Sequence, residues 1–478
     1  MATAGAAVGR TMRSVNAAPK EVSLYAKRET IYQKEVQGPW QNRRAVLLFV
    51  LAGFFLAVPW ITWEGRQAVW LDVPARKFYL FELTLWPQDF IFLTGLLIIS
   101  AFSLFFFTAV AGRLWCGYAC PQTVWTKFFM WIEWLTEGDR NRRILLDRAP
   151  WSMEKVARKS AKHAGWLALC AVVGFTFVGY FIPIRDLIPR IFAFDVSTGE
   201  TVFLAVASLL LYADAGFMRE QVCKYACPYA RFQGAMFDNN TLTIFYDAKR
   251  GEKRGSRGRT ADRAALGLGD CIDCKVCVHV CPTGIDIRNG TQYECIGCAA
   301  CIDACDEIMD EVGYPRGLVR YSTEAALSGK PLRLLRPKVV GYGAVLAAIS
   351  VAWVVGLAQR IPLDLDVIRD RARLYREVSS GQIENVYTLK LMNKSQHPHT
   401  YTIAAEGDVP FALIGPAEVT VAPGELRDIP VQVRTSRAEL SAASTEISFR
   451  VQATDNPKVT VLEESRFLAP STVVKAGV

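Results

Sequence analysis

The sequence predicts a multidomain membrane protein. An α-helical bundle of about five spans carries an inserted two-cluster ferredoxin-like domain and a C-terminal immunoglobulin-like β-sandwich. Three observations predict this. Hydrophobic residues make up 51% of the 478-residue chain, a share ordinary for membrane proteins and high for soluble ones. Two blocks of four cysteines repeat one spacing, C-x2-C-x2-C-x3-C, at 271–282 and 295–306. The final hundred or so residues alternate in polarity between turn residues, as short strands do.

Five apolar stretches supply the spans: 45–63, 89–111, 164–184, 200–217 and 339–358. Each is close to the ~20 residues needed to cross the hydrocarbon core. The fourth is the weakest, and a buried soluble helix is its competing reading. Lys and Arg give the orientation. Eight precede the first span, three (Arg66, Arg76, Lys77) follow it, ten separate spans two and three, and two (Arg185, Arg190) separate spans three and four. The segment before span five is basic again, notably "KRGEKRGSRGR" at 249–259. This alternation places the N-terminus and the cysteine blocks in the cytoplasm and the C-terminus outside. The net charge of +9 therefore needs no nucleic acid, and no aromatic residues interleave the basic run as a nucleic-acid site requires. The run reads as a mobile linker near anionic lipid. The predicted order is a cytoplasmic N-terminal segment (1–44) and membrane helices 1–4 (45–217). A basic linker (218–265), a 2×[4Fe–4S] domain (266–312), a linker (313–338), helix 5 (339–358) and a periplasmic sandwich (365–475) follow.

Thirteen cysteines fall between Cys116 and Cys305. Such clustering favours ligands over structural disulfides, and the polar N-terminus has no early apolar core of a secretory signal. Cys271, Cys274, Cys277 and Cys281, followed by Pro282, match the bacterial ferredoxin run. In that run the fourth cysteine reaches the other cluster. Cys271, Cys274, Cys277 and Cys305 are therefore expected on one [4Fe–4S] cluster, and Cys295, Cys298, Cys301 and Cys281 on the second. Zinc knuckles would set C-x2-C pairs further apart and often use His. Asp306 stands where a second Pro would be expected. His279 reads as a filler residue beside a complete thiolate set.

Four further cysteines form two C-x3-C-P motifs, "WCGYACP" with Cys116 and Cys120, and "VCKYACP" with Cys223 and Cys227. On a helix, positions i and i+4 share a face, so each pair is expected to offer two thiolates, and two such spans side by side a four-thiolate site. Copper(I), another iron–sulfur cluster and a redox-active dithiol all suit soft thiolates. Cys170 reads as a packed hydrophobe. Glu133 and Asp214 lie in apolar surroundings, where snorkelling or pairing with nearby Arg or Lys is expected. His397 and His399 read as a solvated loop.

Taken in order, the spans, the twin C-x3-C-P motifs, the ferredoxin insert and the sandwich resemble the cytochrome c oxidase accessory proteins called CcoG, FixG or RdxA. The resemblance covers nearly the whole chain. It implies a bacterial inner-membrane protein acting in the assembly of a haem–copper oxidase. It implies Cu(II) reduction to Cu(I), with the copper-handling role on Cys116, Cys120, Cys223 and Cys227. The implied partners are the lipid bilayer, a cytosolic electron donor, a copper-exporting P-type ATPase and oxidase assembly factors. A respiratory electron conduit to or from quinol, and a non-enzymatic assembly scaffold, are the alternatives.

Overall fold

The computed structural model describes residues 30–258, 265–331, 333, 335–371, 373–378 and 381–471. The first 29 residues of the N-terminal segment, Arg259 at the end of the basic run and positions 472–475 of the predicted sandwich lie outside the described residues.

Among the described residues five helices are long and apolar enough to cross a membrane: Pro39–Trp60, Pro87–Ala111, Met153–Val178, Thr198–Met218 and Pro337–Ala358. The local chemistry explains their limits. Proline opens the first, second and fifth, where a missing N–H costs nothing. Ser197 and Glu200 form a capping box at the start of the fourth. Within the second span Thr94, Ser100 and Thr108 donate their hydroxyls to the carbonyls of Phe90, Leu96 and Leu104. Those bonds satisfy polar groups that lipid cannot. Helix Thr198–Ala213 has no buried residue. An apolar helix exposed all round suits lipid and not the core of a soluble domain.

Spans two and five pack side by side. Gly95 leaves room for the Trp353 ring, which would lie 2.5 Å from a Cβ there, and the Trp353 indole donates to the Phe92 carbonyl at 2.8 Å. Arg360, just past span five, pairs with Asp89 at the start of span two at 2.6 Å. At the other end of the pair, Arg336 donates to the Ala109 carbonyl. The 22-residue helix Phe90–Ala111 therefore separates the two clasps by about 33 Å at 1.5 Å per residue.

The soluble parts sit at those opposite ends. At the Asp89 end lies the sandwich. One of its sheets runs Ala412–Ile414, Leu426–Ser436, Gln382–Asn393, Leu363–Arg369, with Arg376–Glu377 also on Gln382–Asn393. The other runs Glu418–Val421, His399–Glu406, Ser444–Ala453, Thr460–Leu468. Alternate residues of both sheets fill one core, with Tyr387 and Phe449 fully buried at its centre and ring centroids 5.0 Å apart. Each such ring contributes about 1.5–3 kcal/mol on burial. His399 pairs with Asp455 at 2.7 Å on the surface.

A small sheet of Val69–Asp72, Lys77–Leu80 and Leu83–Leu85 fills the loop between spans one and two. It seats the sandwich, since Lys77 donates to the Gly424 carbonyl at 2.8 Å.

At the other end the ferredoxin-like part does not begin at the cysteines. Strand Thr243–Tyr246 pairs with Val319–Ser322 across the whole insert. The described part of the basic run, 249–258, expected as a mobile linker, is a folded part of this unit. Gly255 N–H donates to the Cys271 carbonyl at 3.2 Å, and Arg250 is paired with buried Asp270. The N-terminal segment joins it too: Lys34 N–H donates to the His279 carbonyl, and the Gln33 amide to the Val280 carbonyl, both at 2.8 Å.

Candidate iron–sulfur and thiolate centre

Both ferredoxin blocks trace the same backbone path. Asp273 and Lys275 in the first, and Gly297 and Ala299 in the second, have positive φ of 56°, 59°, 67° and 61°. They occupy the second and fourth positions after the leading cysteine in each block. Three of the four are not glycine, and a left-handed residue costs about 1–2 kcal/mol. Alternating left- and right-handed residues turn successive N–H groups into one concavity, the nest found at many iron–sulfur sites. Each loop then runs directly into a helix, Val276–His279 or Ala300–Val312.

Cys271, Cys274, Cys277 and Cys305 line one cavity, with Tyr246 and Met309 among its walls. The other four gather around half-buried Cys301, whose thiol is pushed up by desolvation and by Cys298, Cys295, Cys281 and, from the first group, Cys277. Burial likewise pushes Cys277, Cys295 and Cys305 up to about 12. Such thiols are protonated at neutral pH until a metal displaces the proton. Among the described residues no three His, Cys, Asp or Glu side chains close around a single metal ion. An iron–sulfur cluster is a larger body and holds its thiolates further apart, so soft donors, nests and a shared cavity fit that group. Bound there, such clusters supply one-electron carriers. Cys274 alone of the eight is exposed. The His279 carbonyl accepts from the Lys34 N–H at 2.8 Å.

The C-x3-C-P motifs depart from the expected continuous helix. Cys116 lies in the short helix Leu114–Tyr118, and the chain breaks before Cys120, the N-cap of helix Pro121–Glu137. Cys223 lies in a π-helical turn, Val222–Ala226, and Cys227 is the N-cap of Pro228–Met236. The proline causes this break, because it disfavours the α conformation in the residue before it. Each second cysteine thus caps a helix N-terminus, where N–H groups favour a thiolate. Burial pushes Cys120 up, while the N–H groups of Thr123 and Gln122 pull it back. Burial pushes Cys223 up to about 12, and Cys120, Cys116 and Cys227 add to the push. The two motifs therefore share one neighbourhood. Fully buried Gln233 donates to the Cys116 sulfur at 3.3 Å.

This neighbourhood touches the second ferredoxin loop directly. A Cβ at Gly117 would stand 2.7 Å from the Ile296 carbonyl oxygen and 2.9 Å from that of Gly297. Arg113 donates to the Cys295 carbonyl at 2.9 Å. Cys116 packs into the same apolar cluster as Cys298 and Cys301.

The two acids in apolar surroundings, Glu133 and Asp214, differ in their partners. Glu133 is paired with Arg143 at 2.7 Å and also with Arg219. Among the described residues Asp214 has no such cation; Gln122 lies beside its carboxyl, and Oδ1 accepts no hydrogen bond. Cys170 is packed with Phe129 and Trp166, as expected. Gln122, Gln233 and Arg113 were not legible as site residues, because single polar residues in a short apolar stretch carry no spacing signal.

The fold and the thiol arrangement define a membrane-embedded iron–sulfur electron-transfer protein. A family described as a 4Fe-4S dicluster domain matches residues 218–324, and a 4Fe-4S binding domain matches 93–138. The immunoglobulin-like fold at the C-terminus of FixG matches 353–470. The chain is 38% identical to the nitrogen fixation protein FixG of Rhizobium meliloti (strain 1021), over 84% of each chain. It is 40% identical to protein RdxA of Cereibacter sphaeroides, over 80% of this chain and 84% of that one. A FixG-related crystal structure from Vibrio parahaemolyticus is 33% identical over 22% of this chain and 95% of that one, with a TM-score of 0.21. The chain belongs to the FixG/RdxA family.

Proposed function

We propose that this protein reduces Cu(II) to Cu(I) for copper delivery to a haem–copper oxidase under assembly. Cys271, Cys274, Cys277 and Cys305 hold one [4Fe–4S] cluster, and Cys281, Cys295, Cys298 and Cys301 hold the second. Cys116, Cys120, Cys223 and Cys227 receive the copper. Each Cu(II) takes up one electron, supplied by a cytosolic one-electron reductant. The observation that carries this reading is the contact of Gly117, inside the first C-x3-C-P motif, with the Ile296–Gly297 backbone of the second ferredoxin loop. Thiolates select the monovalent ion once formed. The Lys and Arg distribution supports a cytoplasmic face for the N-terminus and clusters and a periplasmic sandwich, in a bacterial inner membrane. The family resemblance supports a copper-exporting P-type ATPase and oxidase assembly factors as partners.

One observation favours a second reading, in which the C-x3-C-P thiols hold a further cluster: the matched 4Fe-4S binding domain covers Cys116 and Cys120. Metal analysis of anaerobically purified protein decides between them, beside a variant with all four of these cysteines changed to Ser. About eight irons in both proteins, with Cu(II) reduction lost in the variant, supports copper chemistry. More than eight irons, falling in the variant, supports the further cluster and removes copper reduction from these residues.

A further inference from the structure

A second cavity, of about 770 Å3, lies within the membrane-spanning part. Phe55 of span one, Trp125, Phe177 of span three and Asp214 of span four face it. At one end it reaches Pro121 and Val222, the residues next to Cys120 and Cys223. Its volume is that of a small-molecule site. Its aromatic walls, with Phe55 and Trp125 centroids 5.6 Å apart, suit a planar ring. Asp214 is the one charged residue in the lining. Its Oδ1 is buried and accepts no hydrogen bond from any described residue, an arrangement that calls for a donor from outside the protein. The segment Asp214–Met218 is a π-helical turn, a distortion frequent at functional sites.

A phospholipid acyl chain fills apolar space and leaves Oδ1 bare. A hydroquinone offers a planar ring for the aromatic walls, an O–H for Oδ1 and an apolar tail for the bilayer. We propose that this cavity binds the head ring of a lipid-soluble quinone, the hydroquinone O–H donating to Asp214. The binding site stands on the cavity and Asp214, independently of what the neighbouring thiols hold.

The test uses the full chain in lipid nanodiscs and a photoreactive, radiolabelled azidoquinone. Label is expected on peptides containing 119–125 and 207–222, displaced by unlabelled quinone and not by added phospholipid. Ala207→Phe, which fills the cavity, is expected to abolish that label while iron content stays at the parent level. Asp214→Leu is expected to weaken competition by the hydroquinone roughly two- to tenfold, the loss of one hydrogen bond, with the oxidised quinone little affected. Label spread over the outer faces of the spans, displacement by phospholipid, or an unchanged pattern in Ala207→Phe overturns the proposal. The same labelling on protein with the eight ferredoxin cysteines changed to Ser separates the two readings. Retained label with no iron means the site binds quinone whatever the thiols do. Lost cavity label in iron-loaded parent protein overturns the site alone.

Discussion

Gly117 rests on the backbone of Ile296, so closely that a Cβ would stand 2.7 Å from its carbonyl oxygen. Neither partner is a flexible side-chain end that moves aside. Gly117→Ala must therefore push the first C-x3-C-P motif off the second ferredoxin loop. Overpacking of this kind costs about 1–3 kcal/mol. The expected outcome is a lower melting temperature with a larger fall in Cu(II) reduction than in iron content. A variant with unchanged melting and activity would show that the contact is dispensable.

In the proposed crossed assignment Cys281 and Cys305 each serve the other block's cluster. Cys281→Ser is expected to lose the centre that gathers around Cys301, and Cys305→Ser the one that opens at Cys274. Each variant should keep about half of the eight irons that two clusters contain. The EPR signals of the two reduced variants should sum to that of the parent. Loss of all iron in either variant, or identical residual signals, would contradict the crossed assignment.

Glu133 holds two arginines, Arg143 and Arg219, with side-chain exposures of 8% for Glu133, 7% for Arg143 and 16% for Arg219. Removing one partner of a buried pair leaves an uncompensated charge and costs about 3–5 kcal/mol. Glu133→Gln should lower detergent-resistant melting sharply. Glu154→Gln, whose partner Arg158 is on the surface, should change it little, because exposed pairs contribute about 0–1 kcal/mol.

Asp286 is held below the usual carboxylate range, chiefly by its hydrogen bonds from Arg288, which also grips Asp273 in the first cluster loop. A depressed folded pKa gives stability that is fully present above the unfolded value of about 3.9. It is lost as pH falls further, through the folded pKa. Urea unfolding between pH 5 and pH 2 should therefore show an acid-dependent loss in the parent that Asp286→Asn lacks. Parallel profiles for the two proteins would remove Asp286 from this role.

The cysteine spacing and the apolar stretches were legible because each is a local pattern: a ligand run wraps one cluster, and a span needs one uninterrupted apolar length. What the sequence concealed was non-local or very short. Thr243–Tyr246 finds its partner strand 73 or more residues later, with nothing in its four residues to announce it. The sheet between the first two spans has strands of three or four residues, too few to display a period. The break inside each C-x3-C-P motif was readable from its proline, yet the i, i+4 spacing suggested an unbroken helix. Asp214 looked like an acid that would find a cation at the interface; its neighbours turn out to be Gln122 and an apolar cavity.

The grip of Gln33 on Val280 joins positions 247 residues apart. At a synthesis rate of about 5–20 residues per second, Gln33 leaves the ribosome roughly 12–50 s before its partner. During that interval the first span can already anchor in the bilayer with Gln33 beside it. The cysteine loops are then made late and close against a waiting, membrane-tethered strip of chain, so iron delivery to this protein has a defined moment in its biogenesis.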